Sequence, residues 1–141
     1  MRTSARNMLP CKVADVKLGA VNAEIVLDVG EGVKLFAIIT DESVKSLGLE
    51  PGKDVYALIK SSFVLLAHEG QIGRTSARNV LIGTVSHRED GAVNSEIVLD
   101  LGSGKTIAAI VTKESANSLD FKVGQRACAL IKASHVILAV D

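Results

Sequence analysis

The residues with the most definite chemistry are Arg2-Thr3-Ser4-Ala5-Arg6-Asn7, which return unchanged as Arg74-Thr75-Ser76-Ala77-Arg78-Asn79. Each hexamer carries guanidinium, hydroxyl and amide groups and no carboxylate. It donates hydrogen bonds and is positively charged, which is what an oxyanion needs from a protein. Two further segments share this character. Thr40 with Ser43 recurs as Thr112 with Ser115, and a Thr followed by an acidic first turn is also a helix-start pattern. A helix start would add backbone N–H groups and the positive end of a dipole. Lys60-Ser61-Ser62 recurs as Lys132-Ala133-Ser134, one hydroxyl short.

A tetrahedral dianion offers only acceptors. Micromolar affinity corresponds to about 8 kcal/mol, and a bond to a charged group contributes roughly 1.5–3 kcal/mol. Several donors must therefore converge, mostly out of water. Singly, each residue has a plainer role: Thr40 as a helix cap, Lys60 as a solvated lysine, Arg6 as half of an ion pair. Their joint recurrence favours a site. Gly19-Ala20-Val21-Asn22, repeated as Gly91-Ala92-Val93-Asn94, reads either as a second anion-binding turn or as an ordinary hairpin.

The elements that must hold these residues follow from the repeat. A displacement of 72 residues aligns the chain on itself without a gap, with about half of the aligned positions identical. The 141 residues therefore divide into two domains, 1–69 and 74–141, joined at 70–73. Domains this small bury only about 60% of their unfolded surface, and 48% hydrophobic residues is more than two such cores need. Packing between domains or subunits is expected.

Within a repeat the hydrophobic pattern has period two. Strands are expected at 8–16, 21–29, 34–39, 54–60 and 64–67, with one short helix starting at Thr40 and ending near Leu47-Gly48. In repeat two they are expected at 93–101, 105–111, 126–132 and 136–140, with the helix over 112–119. Five strands with a helix between the third and fourth match an OB-type barrel. The expected fold is all-β: tandem OB-fold-like five-stranded barrels, each with one short helix.

Sixteen basic residues balance sixteen acidic ones, and the only aromatics are Phe36, Tyr56, Phe63 and Phe121. Nucleic-acid binding normally needs a basic footprint or stacking platforms, so no nucleic-acid partner is expected, although OB barrels often have that role. No histidine recurs between repeats and no nucleophile–base motif appears, so no enzyme is expected. The recurring carboxylates Glu24, Asp28 and Glu42 (Glu96, Asp100 and Glu114) fit a strand's polar face and a helix start. Cys11 and Cys128 align with Gly83 and Tyr56, which suits buried free thiols in a reducing cytoplasm. The apolar runs are too short to cross a membrane, and no apolar leader follows Met1.

These segments resemble the Mop family of molybdenum–pterin-binding or molybdate-binding domains, also called TOBE-type OB folds. The matching stretches are Thr75 to Asn79, Gly91 to Glu96, Ile110-Val111-Thr112 with Ser115, and Ala129 to Ser134, and the first copy matches nearly as well. The tandem arrangement is similar to the di-Mop proteins of that family. The resemblance implies molybdate or tungstate as ligand, bound at interfaces of a homo-oligomer, a trimer, for molybdenum storage, with no catalytic cofactor. The ligand is an oxyanion, so no side chain would coordinate the metal directly. The implied contacts are Thr3, Ser4, Arg6, Thr40, Ser43, Lys60, Ser61 and Ser62 in the first copy. In the second they are Ser76, Arg78, Thr112, Ser115, Lys132, Ala133 and Ser134.

Overall fold

A computed structural model describes residues 1–141. The chain forms β1 (Asn7–Leu18), β2 (Asn22–Gly30), β3 (Val33–Thr40), α1 (Asp41–Leu47), β4 (Asp54–Ile59) and β5 (Leu65–His68). It then repeats them as β6 (Asn79–Asp90), β7 (Asn94–Gly102), β8 (Lys105–Thr112), α2 (Lys113–Ser118), β9 (Arg126–Ile131) and β10 (Ile137–Ala139). The expected all-β, tandem OB-like architecture is present. The 3-10 turns Ser61–Phe63 and Ala133–His135 stand where the sequence pattern ran one strand almost into the next.

The pairing of the last strands differs from simple tandem domains. One sheet has the order β10-β4-β1-β2-β3 and the other β5-β9-β6-β7-β8. The strand that ends each repeat thus joins the sheet of the other: Leu138 lies opposite Ala57, and Leu66 opposite Ala129. The compact units are Met1–Ile59 with Lys132–Asp141 (unit 1) and Lys60–Ile131 (unit 2). The expected boundary at 70–73 divides the repeats in sequence, not the units in space. The physical reason is the near identity of Val64-Leu65-Leu66-Ala67 and Val136-Ile137-Leu138-Ala139. Either strand presents the same alternation to either sheet, so the pattern specifies a strand and leaves its partner open.

Burial follows the alternation. On β2, Ala23, Ile25, Leu27 and Val29 are buried, and on β7 Ser95, Ile97 and Leu99. Unit 1 closes its core with Val13, Leu35 and Ile59, and unit 2 with Val85, Ile107, Phe121 and Ile131. Val136 and Leu138 are buried in unit 1 and Val64 in unit 2. Each buried side chain of this size contributes about 1.5–3 kcal/mol, so the exchanged strands are structural parts of the sheets they join.

The helix ends differ between copies. Gly48 caps α1 at φ 62°, with its N–H donating to the Lys45 carbonyl. Its counterpart Asp120 takes the same left-handed region at φ 54°, which aspartate tolerates at some cost. Lys53 Nζ donates to the Leu47 carbonyl at 2.7 Å behind α1. Behind α2, Arg88 donates to the carbonyls of Ala116 and Phe121 and to Asn117 Oδ1. No helix is long and apolar enough to cross a membrane.

Candidate oxyanion site

In both units the helix start is built by a pair of hydroxyls. Thr112 has extended backbone, φ −66° and ψ 145°, and its Oγ1 accepts the Ser115 N–H at 3.1 Å. The same oxygen donates to Ser115 Oγ at 2.8 Å. Thr40 and Ser43 repeat this, with distances of 3.1 Å and 2.9 Å. The threonine hydroxyl thus caps the helix and holds the serine hydroxyl beside it.

The backbone donors are fewer than the sequence suggested. The first N–H of each helix is spent on the preceding hairpin, Asp41 N on the Val21 carbonyl and Lys113 N on the Val93 carbonyl, each at 2.8 Å. With only seven and six helical residues, the helix dipole is a minor contribution and the hydroxyls carry most of the donor capacity. The Gly19 and Gly91 turns close the hairpins, their N–H groups donating to the Asn22 and Asn94 carbonyls at 2.9 Å and 2.7 Å. A Cβ on Gly19 would meet the Asn22 carbonyl oxygen at 2.5 Å. Hairpin closure therefore accounts for both glycines.

Strand exchange regroups the remaining donors. The 3-10 turn Ser61–Phe63 packs against β8, and Ala133–His135 packs against β3. Lys60-Ser61-Ser62 thus accompanies Thr112 and Ser115, while Lys132-Ala133-Ser134 accompanies Thr40 and Ser43. Ser61 is buried within unit 2 and Ala133 within unit 1. Lys60 Nζ sits 5.3 Å from the centre of the Phe63 ring, so an aromatic face holds the ammonium beside the turn.

In unit 2 the donor segments meet at one cavity of about 500 Å³. Thr75 from the hexamer, Ser62 from the 3-10 turn, and Thr112 and Ser115 from the helix start line it, with apolar walls from Leu65, Leu119, Phe121 and Leu130. Thr75 was not among the expected second-copy contacts. Its counterpart Thr3 was, and both hold a local turn, accepting the N–H of Ala77 at 3.1 Å and of Ala5 at 3.0 Å. Ser4, Arg6, Ser76 and Arg78 are exposed beside these turns. Asn7 and Asn79, which end the hexamers, are buried and open β1 and β6 opposite Ile59 and Ile131. The last residues of the hexamers therefore anchor a strand rather than face solvent.

Asp28 and Asp100 accept the N–H of Gly30 and Gly102 at 2.9 Å and 2.8 Å and so close hairpins. Asp90 is held below the ordinary carboxylate range by hydrogen bonds from Arg88 and then Ser95. His68 stacks on Phe121 and contacts the Leu119 carbonyl, whereas His135 belongs to unit 1. Burial raises the Cys128 thiol, and both cysteines are free and buried.

Two OB-like five-stranded sheets, each beside a short helix capped by a Thr–Ser hydroxyl pair, define a tandem β-protein. The chain belongs to the TOBE domain family, whose model matches residues 3–66 and 75–138. It is 55% identical over 140 residues to the molybdenum-pterin-binding protein MopA of Rhodobacter capsulatus, covering 99% of this chain and 53% of that protein. It is 40% identical over 140 residues to the molybdenum transport protein ModE of Azotobacter vinelandii, covering 99% and 52%. The chain spans about half the length of these curated relatives. Among solved structures it matches the cytoplasmic molybdate-binding protein ModG with molybdate bound, at 48% identity and TM-score 0.96, covering 100% of both chains. The resemblance drawn from the sequence motifs is borne out.

Proposed function

We propose that this chain binds molybdate, with tungstate as its near twin, and serves to store and buffer it inside the cell. The observation that carries this reading is the convergence of Thr75, Ser62, Thr112 and Ser115 on one cavity of unit 2. The hydroxyls of Thr75, Ser62 and Ser115, with Lys60 two residues before Ser62 in the chain, suit a tetrahedral dianion, and Thr112 holds Ser115 in place. The full contact set we propose is Ser4, Arg6, Thr40, Ser43, Lys132 and Ser134 for the unit 1 site. For the unit 2 site it is Ser76, Arg78, Thr75, Thr112, Ser115, Lys60, Ser61 and Ser62. The protein acts by binding, without catalysis and without a nucleic-acid partner, in keeping with its balanced charge.

The working form in this reading is a homo-oligomer, a trimer. Apolar rows on the outer faces of the sheets support it. In unit 2, Leu65, Leu130 and Val80 lie directly opposite one another across β5, β9 and β6. In unit 1 the equivalent row is Ile137, Leu58 and Met8. Leu65 is 66% and Ile137 63% exposed, and Leu65 and Leu130 also wall the donor cavity. A second copy laid on that row would cover the cavity and remove its donors from water.

Calorimetric titration of the purified chain with molybdate, tungstate, sulfate, phosphate and an oligonucleotide tests the function. Saturable heat with molybdate and tungstate and little with sulfate is expected. Absence of heat with both metal oxyanions refutes the reading. Light scattering tests the assembly, and a monomer at working concentration would refute the interface model.

A further inference from the structure

The two units differ at one place on their outer faces. In unit 1, Lys17 of β1 stands directly opposite Glu24 of β2, a complementary cross-strand pair. At the equivalent place in unit 2, Glu89 of β6 stands directly opposite Glu96 of β7. The strands and the register are the same in both units. The bulge that precedes the pair is also the same, at Val13/Asp15 and at Val85/His87. Two residues before Glu89, and so on the same face, Asp15 of unit 1 is replaced by His87.

We propose that His87, Glu89 and Glu96 form a site for one divalent transition-metal cation, zinc being the best match. Ligand atoms of the three side chains lie within 4.8 Å of one another, and His87 Nε2 is 3.6 Å from Glu89 Oε2. Ligands of a tetrahedral zinc at bond lengths of 2.0–2.2 Å stand roughly 3.4 Å apart, so modest side-chain rotation completes the set. One imidazole nitrogen with two carboxylates suits zinc and its first-row neighbours, whereas calcium and magnesium prefer oxygen alone. The residues directly opposite on this face, Val98 facing His87 and Ile110 facing Glu96, are apolar. Arg88, between His87 and Glu89 in sequence, points to the other face, where it is engaged by Asp90, Asn117 and two backbone carbonyls. Three protein ligands leave a fourth position for water, and exposure of His87 and Glu89 lets the ion enter from solvent.

The test is zinc titration of the full, tag-free chain in molybdate-free, non-coordinating buffer. One zinc per chain is expected. His87→Ala should weaken binding by about tenfold or more, and Glu89→Lys, which restores the opposition found in unit 1, should weaken it at least as much while leaving the protein folded. Installing Asp15→His and Lys17→Glu in unit 1 should raise the stoichiometry from one to two. Cys11→Ser with Cys128→Ser should leave binding intact. No saturable zinc binding, or binding unchanged by His87→Ala and Glu89→Lys, would overturn the proposal.

Discussion

Thr112 donates its hydroxyl hydrogen to Ser115 Oγ at 2.8 Å while accepting the Ser115 N–H at 3.1 Å. One threonine thus caps the helix and holds the serine hydroxyl beside it. Ser115→Ala removes that donor without touching the cap. Molybdate affinity at the unit 2 site should fall about tenfold or more, because bonds to charged groups contribute roughly 1.5–3 kcal/mol. Thermal stability should hardly change. Thr112→Ala should do both, costing in addition about 1 kcal/mol of stability through the lost cap. Calorimetry paired with thermal melts separates the two effects, and an unaltered affinity in Ser115→Ala would remove this residue from the site.

Ser61 and Ala133 occupy equivalent places in the two 3-10 turns, both buried, in units 2 and 1 respectively. Ala133→Ser should therefore strengthen the weaker class of sites toward the stronger, and Ser61→Ala should do the reverse. A two-class binding isotherm that becomes more nearly single-class in Ala133→Ser is the expected result.

Leu138 is 7% exposed and packs within unit 1, although it belongs to the second repeat. Leu138→Ala should cost about 2–5 kcal/mol. Hydrogen exchange should show lost protection in β1 to β4 before β6 to β9, the opposite of what contiguous domains would give.

Asp120 holds a left-handed conformation at φ 54° where Gly48 stands in the first copy. Asp120→Gly should raise stability by a few tenths to about 1 kcal/mol, less whatever its surface contact with Lys122 contributes. A thermal melt reads the difference.

Asp90 has its carboxyl lowered by hydrogen bonds from Arg88 and Ser95. Its folded value lies below its unfolded one, so the stability it confers is present above about pH 4 and fades as the pH falls through the folded value. The stability gap between the native chain and Asp90→Asn, measured by urea midpoints, should be widest near neutrality and narrow in acid.

Much of this was legible in the chain. The alternation along β2 and β7, the Thr caps and the Gly48 stop are local chemistry, and local chemistry is what sequence records. The donor segments were legible for the same reason. Their grouping was not, because Val64–Ala67 and Val136–Ala139 are nearly interchangeable strands and nothing in either names its partner. Nor was the spending of the first helical N–H groups on Val21 and Val93, which depends on how the hairpin approaches the helix. Glu96 reads in the sequence as part of a strand's polar face, and only the register sets Glu89 opposite it.

The exchange of final strands also changes what the duplication means for inheritance. In this structure each copy lends its closing strand to the sheet of the other. A substitution in the last ten residues is selected through a unit whose remaining residues are all encoded in the first 59. Loss of either copy by deletion would strip strands from both sheets at once. The repeats diverge at Ser61 and Ala133, and at Lys17 and Glu89, while each still supplies a strand to the other's sheet.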